Sequence, residues 1–172
     1  MGPTGEHDNQ RWEQEREERK EQWAREDESR WHQERLAAYS TLLNNIERWI
    51  RLARHAKPRA YLGQRAISRE NAELLEAAVD EIQNAAITVE LLAPEPIRGR
   101  VRALYVSTSF FRIDFSGNVR ERSAQEAEQD AEATIEKVIE RKNALRKLIR
   151  QELKIEMPAV GDASEIAKNP GA

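Results

Sequence analysis

Residues 68–96 read SRENAELLEAAVDEIQNAAITVELLAPEP, and this stretch decides the fold. Leu75, Ala78, Ile82, Ala85, Val89 and Leu92 recur at alternating spacings of three and four, with acids and amides between them. That repeat puts the apolar side chains on one stripe of a helix, whereas a strand would divide them between two faces. The ends of the helix are also written in the chain. Ser68 offers a hydroxyl to the free amides of a first turn. Ala93-Pro94-Glu95-Pro96 stops the helix and opens another, since proline is tolerated in a first turn.

On the C-terminal side, Ile97, Val101, Leu104, Thr108, Phe111 and Phe115 follow a 4-3-4-3-4 pattern. The run VSTSFFRIDF is rich in β-branched and aromatic residues, so residues 105–115 also fit a strand. A lone strand among helices has no partner, and a helix is the expectation. Ser107, Thr108 and Ser109 on it serve to satisfy backbone carbonyls. Ser116-Gly117-Asn118 is a turn signal. A last helix is expected from about Val119 to Ile155, with Ala131, Ile135, Val138, Ile139, Leu145, Leu148, Ile149 and Leu153 inward. Residues 121–140 hold seven acids against two bases, while Arg141, Lys142, Arg146, Lys147, Arg150 and Lys154 follow against one acid. This polarity complements the helix macrodipole.

On the N-terminal side, Tyr39, Leu42, Ile46, Trp49, Ala53 and Ala56 form a third stripe, with Leu43 and Ile50 beside it. Lys57-Pro58 ends that helix, because a residue before proline is driven out of the helical region. In the connector 58–67, Tyr61, Leu62 and Ile67 are expected against the bundle. Four amphipathic helices with short connectors predict an all-α, antiparallel up-down-up-down four-helix bundle over residues 36–155.

Residues 6–35 differ. They contain 18 charged residues, 11 acidic and 7 basic, and no Pro or Gly. Opposite charges one turn apart at Glu15/Arg19, Glu21/Arg25 and Glu26/Arg30 each favour helix by about 0.2–0.5 kcal/mol. The only apolar side chains are Trp12, Trp23, Ala24 and Trp31, too few for a coiled-coil seam. The expectation is a charged, solvated helical extension continuous with the first bundle helix, preceded by a flexible start at 1–5. Residues 156–172, without periodicity, are expected to be a disordered tail.

The chain has 172 residues, a formal net charge of -3 and no cysteine. Disulfides, thiolate nucleophiles and Cys-based metal sites are therefore excluded, and a reducing compartment fits. MGPTGEHDNQRWEQ has no apolar core of a signal peptide, and no run reaches the roughly 18–20 apolar residues of a membrane span. Cytoplasmic location is the expectation. His7, His32 and His55 lie far apart, and no H-E-x-x-H, G-x-S-x-G, G-x-G-x-x-G or Glu-x-x-His spacing occurs. No catalytic, cofactor-binding or metal-binding residue is assigned, and a non-enzymatic protein is expected.

Two features carry the functional expectations. Taking about 100° per residue, Trp12, Trp23, Trp31 and Trp49 fall at about 0°, 20°, 100° and 100°. Trp12 and Trp23 either anchor a partner protein or a second copy, or lie over Arg and Lys stems of their own helix. Trp31 joins them as a candidate contact, although with Trp49 it also reads as core. The second feature is the lower end of the bundle, where Arg98, Arg100, Arg102, Arg146, Lys147 and Arg150 make a candidate basic patch. It reads as a solvated face or as a weak binder of nucleic acid or anionic lipid. An interaction or scaffold role for the extension is the leading expectation, and the basic patch is the alternative.

The runs ERLAAYSTLLNNIERWIRLAR and AAITVELLAPEPIRGRVRALY, with their R-x-x-A-Y helix and E-L-L-A-P-E corner, resemble a loose group of uncharacterised, mainly actinobacterial helical proteins. The resemblance covers about residues 31–155. It implies a helical fold and no functional residue, and the membrane-spanning helix with which many members begin is replaced here by the charged, tryptophan-bearing one.

Overall fold

The computed structural model describes residues 4–116 and 121–154, with side chains from Arg11 onward. Its helices are α1 (Thr4–Ala56), α2 (Arg69–Leu92), α3 (Glu95–Phe115) and α4 (Ala124–Glu152), with a 3-10 turn at Ala60–Leu62. Each packs on its chain neighbours, and α4 closes the ring on α1, giving an antiparallel four-helix bundle. Helix already begins at Thr4, inside the segment expected to be a flexible start. The last helix, expected from about Val119, starts instead at Ala124 behind the Ser123 cap, with residues 121–123 not helical; Ile155, its expected end, and the tail 156–172 lie outside the described residues.

The stripes read from sequence form the core. Tyr39, Leu42, Ile46, Trp49, Leu75, Ile82, Val89, Ile97, Leu104, Phe111, Ile135, Val138 and Leu145 are all buried. The Trp49 and Phe111 rings meet edge to face at 5.4 Å, and Phe111 meets Phe115 at 4.9 Å. Residues 105–115 are helical. Thr108 occupies a core position fully buried, and its hydroxyl donates to the Tyr105 carbonyl at 2.9 Å. A buried hydroxyl without such a partner would cost about 1–3 kcal/mol.

The helix ends are chemically marked. Ser68 accepts from the Asn71 amide and caps α2. Ser123 and Glu126 form a reciprocal capping box on α4, which also draws the Glu126 carboxyl below its usual range. After the 3-10 turn, Gly63 takes φ 66°, a left-handed backbone that disfavours any side chain. The turn sits on α4 through the Ala60 amide, which donates to Glu128 at 3.0 Å. Only part of the expected tucking follows. Ile67 is buried and its amide donates to the Phe115 carbonyl, while Tyr61 is 76% and Leu62 56% exposed. The turn's main chain, rather than its apolar side chains, makes the contact.

Ion pairs join the helices at the edges of this core. Arg54 pairs with Glu136 at 3.4 Å, and Lys57 with Glu132, joining the upper half of α1 to acidic α4. Arg48, farther down α1, reaches α2 and pairs with Glu81 at 2.7 Å. Lys142 pairs with Glu47 at 2.6 Å, and that hydrogen bond holds the Glu47 carboxyl below its usual range. At the lower end, Glu152, the last residue of α4, receives Arg35 at 2.5 Å and the Tyr39 hydroxyl at 3.3 Å. Burial, reinforced by the Glu152 charge, pushes the Tyr39 phenol up to about 12.

That last cluster marks where the bundle ends. Projected down α1 at about 100° per residue, the core seam continues through Arg35, Trp31, Glu28, Ala24, Glu21 and Glu17. Carboxylates at Glu28, Glu21 and Glu17 interrupt the seam, so only Trp31 and Ala24 remain apolar and no continuous apolar face extends the bundle. Trp31 lies a turn below Arg35, beyond the end of α4, and is 49% exposed. The expectation that Trp31 is core is therefore corrected, because no described helix reaches it. Trp49 is 0% exposed.

A candidate interaction surface along the extension

Residues 4–34 of α1 extend about 46 Å below the bundle at 1.5 Å per residue. From Arg11 to Glu34 every side chain except Glu15 is exposed. The helix is held by its own chemistry. Glu17 pairs with Lys20 at 2.7 Å, Glu21 with Arg25 at 3.4 Å and Arg11 with Glu15 at 3.4 Å. Of the pairs expected from sequence, Glu21/Arg25 forms. Arg19 donates to the Glu15 carbonyl at 3.2 Å rather than to its carboxylate, and Glu26 accepts from Gln22 at 2.9 Å.

Trp12 and Trp23 are 64% and 65% exposed. No ring contact with an Arg or Lys is formed by either, among the described residues; the one such contact puts Arg122 over Phe115 at 4.8 Å. Their direction follows from the unbroken helix. Both lie within about 20° of each other, and Arg16, Arg19 and Arg30 fall on the same side. Higher up, that side of α1 carries Thr41 and Arg48, and Arg48 pairs with α2. Trp12 and Trp23 thus lie on the flank of α1 that borders α2 in the bundle, where Thr41 and Arg48 stay exposed.

Where this side meets the bundle there is a groove of about 460 Å³ between α1 and α2, lined by Glu34, Ala37, Ala38, Thr41, Ala85, Thr88 and Leu92. Its lining is mainly small and apolar. The tryptophan face of the extension therefore runs into a depression of a size that takes large side chains.

The candidate basic patch is partly neutralised by acids. Arg98 pairs with Glu95 at 2.8 Å, and Arg102 reaches Glu90 at 3.1 Å and Glu95 at 3.6 Å. Two of its three α3 cations are thus matched by acids at the α2–α3 corner. Arg100, Arg146 and Lys147 are exposed, and Arg150 is half-buried. His32 and His55 are exposed and on different parts of α1, and the side chain of His7 lies outside the described ones. Arg141 donates to the Ala103 carbonyl and Ser107 hydroxyl, tying α4 to α3.

One surface was missed from sequence. Val106, Phe110 and Ile113 are exposed on α3, opposite its core stripe, with Ile87 and Leu91 exposed on α2. Their 4-3 spacing is legible in VSTSFFRI, but reading one apolar stripe per helix leaves the second unassigned.

No protein-family model, no curated protein and no solved structure matches this chain.

Proposed function

We propose that this chain is a non-enzymatic interaction protein, in which the bundle is a rigid base and residues 11–34 of α1 are the arm that engages a protein. The observation that supports this most directly is the exposure of Trp12 and Trp23 on one side of an ion-paired helix. An exposed indole adds nothing to such a helix, whose pairs already lie between charged neighbours, whereas a partner that covers it gains a large, stiff apolar contact. The groove at the foot of the arm lies on the same side and extends the contact surface. The acids Glu90 and Glu95 on the lower arginines weigh against the alternative, a polyanion-binding end.

The test is site-specific photo-crosslinking. A photoreactive residue replacing Arg16, between the two tryptophans, should give a defined covalent adduct in the native cell, with another protein or with the chain itself. The adduct should be lost in Trp12→Ala/Trp23→Ala. No adduct from either side of the arm, with the double variant behaving as wild type, would remove the reading.

A further inference from the structure

The arm's tryptophan face has a charge order that selects its occupant. Around Trp23 it reads Arg16, Arg19 and Lys20 on the N-terminal side and Glu26 and Asp27 on the C-terminal side, followed by Arg30 and Glu34. At about 100° per residue these positions, with Trp12, share one broad side of α1. A parallel copy would set each residue against itself, Arg19 on Arg19 and Asp27 on Asp27. An antiparallel copy reverses the order.

We propose that this face is the contact for a second copy of the chain, the two arms crossing antiparallel with Trp23 at the two-fold axis; this rests on the arm being an interaction element. Arg19 and Asp27 stand four residues either side of Trp23, and Lys20 and Glu26 stand three, so each meets its opposite on the other copy. The two-fold makes four opposite-charge pairs. Arg16 and Arg30, seven residues away on either side, meet as like charges, and the two-fold makes two of these. The axis thus favours one orientation by charge and places the two Trp23 rings together.

The same register gives Trp12 a place. It stands eleven residues before Trp23, and Glu34 stands eleven after. Glu34 is the first lining residue of the groove formed with Ala37, Ala38, Thr41, Ala85 and Leu92. Trp12 of each copy therefore arrives at the mouth of the other's groove, where small side chains leave about 460 Å³ open. The arms overlap fully and the two bundles lie at opposite ends of an elongated, closed dimer, as an isologous contact requires.

The experiment is light scattering of the full chain, from about 5 µM to about 500 µM, a range that resolves dissociation constants near the micromolar level. The mass should rise from 19.9 kDa towards twice that value with concentration. Trp23→Ala should weaken the dimer at least about tenfold, the range of an interface aromatic. Glu26→Lys/Asp27→Lys and Arg19→Glu/Lys20→Glu should each be monomeric alone, and their equimolar mixture should dimerise, because the four pairs around Trp23 are then opposite in charge again. Orientation is read from Ser40→Cys carrying a spin label, in a chain with no other cysteine. The antiparallel register separates the two labels by about 50 Å at 1.5 Å per residue; a separation under about 25 Å denotes parallel arms and overturns the proposal. A mass of 19.9 kDa at every concentration overturns it as well, while a crosslink from the arm to another protein would leave the wider reading standing. A dimer that survives both Trp23→Ala and the charge reversals lies on another surface, such as the outer stripe of α3, and equally overturns it.

Discussion

The upper and lower parts of α1 are one helix with one backbone geometry, yet they are stabilised by different means. Between Ala38 and Ala56 the seam is apolar and buried against three other helices. Between Arg11 and Glu34 carboxylates at Glu17, Glu21 and Glu28 break the seam, and contacts run between neighbours one turn apart. Helix propensity is comparable in both, so propensity decides that the chain is helical and the seam decides whether it has company. The contrast also separates roles. Removing a side chain above Arg35 is felt by the fold, and removing one below it leaves the core contacts intact.

The two tryptophans at similar helical settings give the largest test. Trp49→Ala should cost about 3–5 kcal/mol, as for other buried aromatics, and chemical denaturation should show a lowered midpoint or loss of the cooperative transition. Trp23→Ala should lie within about 0.5 kcal/mol of wild type in dilute solution. If both substitutions destabilise alike, the arm is packed and the division at Arg35 is misplaced.

The boundary is the next place to press. Glu152→Gln removes the charge that Arg35 and Tyr39 share, and it should cost about 1–3 kcal/mol by leaving a partly buried guanidinium without its carboxylate. The loss should appear in hydrogen exchange as fraying of the last turn of α4 and of residues 35–39, with the amides near Trp49 unaffected.

A smaller, pH-dependent effect belongs to Tyr39. Its phenol titrates near 10.0 in the unfolded chain and about 12 in the fold, because burial and Glu152 oppose the phenolate. The folded state keeps the proton longer, so this contribution is complete below about pH 10 and is lost as pH rises towards about 12. Wild type should therefore lose more stability than Tyr39→Phe over that interval in urea titrations at matched ionic strength. Parallel curves would show that Tyr39 does not sense the boundary cluster.

The least effect is expected in the arm itself. Lys20→Ala breaks an exposed pair with Glu17 and should change monomer stability by no more than about 0.5 kcal/mol. Circular dichroism under dilute conditions should barely register it.

Most of the fold could be read because burial imposes a repeat. The α2 stripe, the proline corner at residues 93–96 and the Ser68 cap each leave a local mark, and each stands where expected. What escaped depended on distances between elements. That Trp31 stays open follows from α4 ending opposite Arg35, and nothing near Trp31 in sequence encodes it. Arg98 and Arg102 read as a patch until the corner brought Glu90 and Glu95 against them. Tyr61 and Leu62 were assigned inward because they are apolar, whereas a glycine-capped turn anchored by its main chain left them outside. The candidate surface divides the same way. The tryptophans and the charge order of the arm are local and legible, while the groove exists only once α1 and α2 are side by side.

The unbroken run of α1 has one more consequence. With no proline or glycine between Glu6 and Ala56, the azimuth of every arm side chain is tied to the core by a count of residues. Inserting one residue between Arg35 and Leu36 would leave the apolar seam above it in place and disturb the Arg35–Glu152 pair, yet it would turn Trp12 and Trp23 together by about 100° and advance them by about 1.5 Å. Inserting seven would nearly restore the angle and lengthen the reach by about 10 Å. Direction and reach are thus geared to each other in this chain, and the arm can change its length freely only in whole heptads.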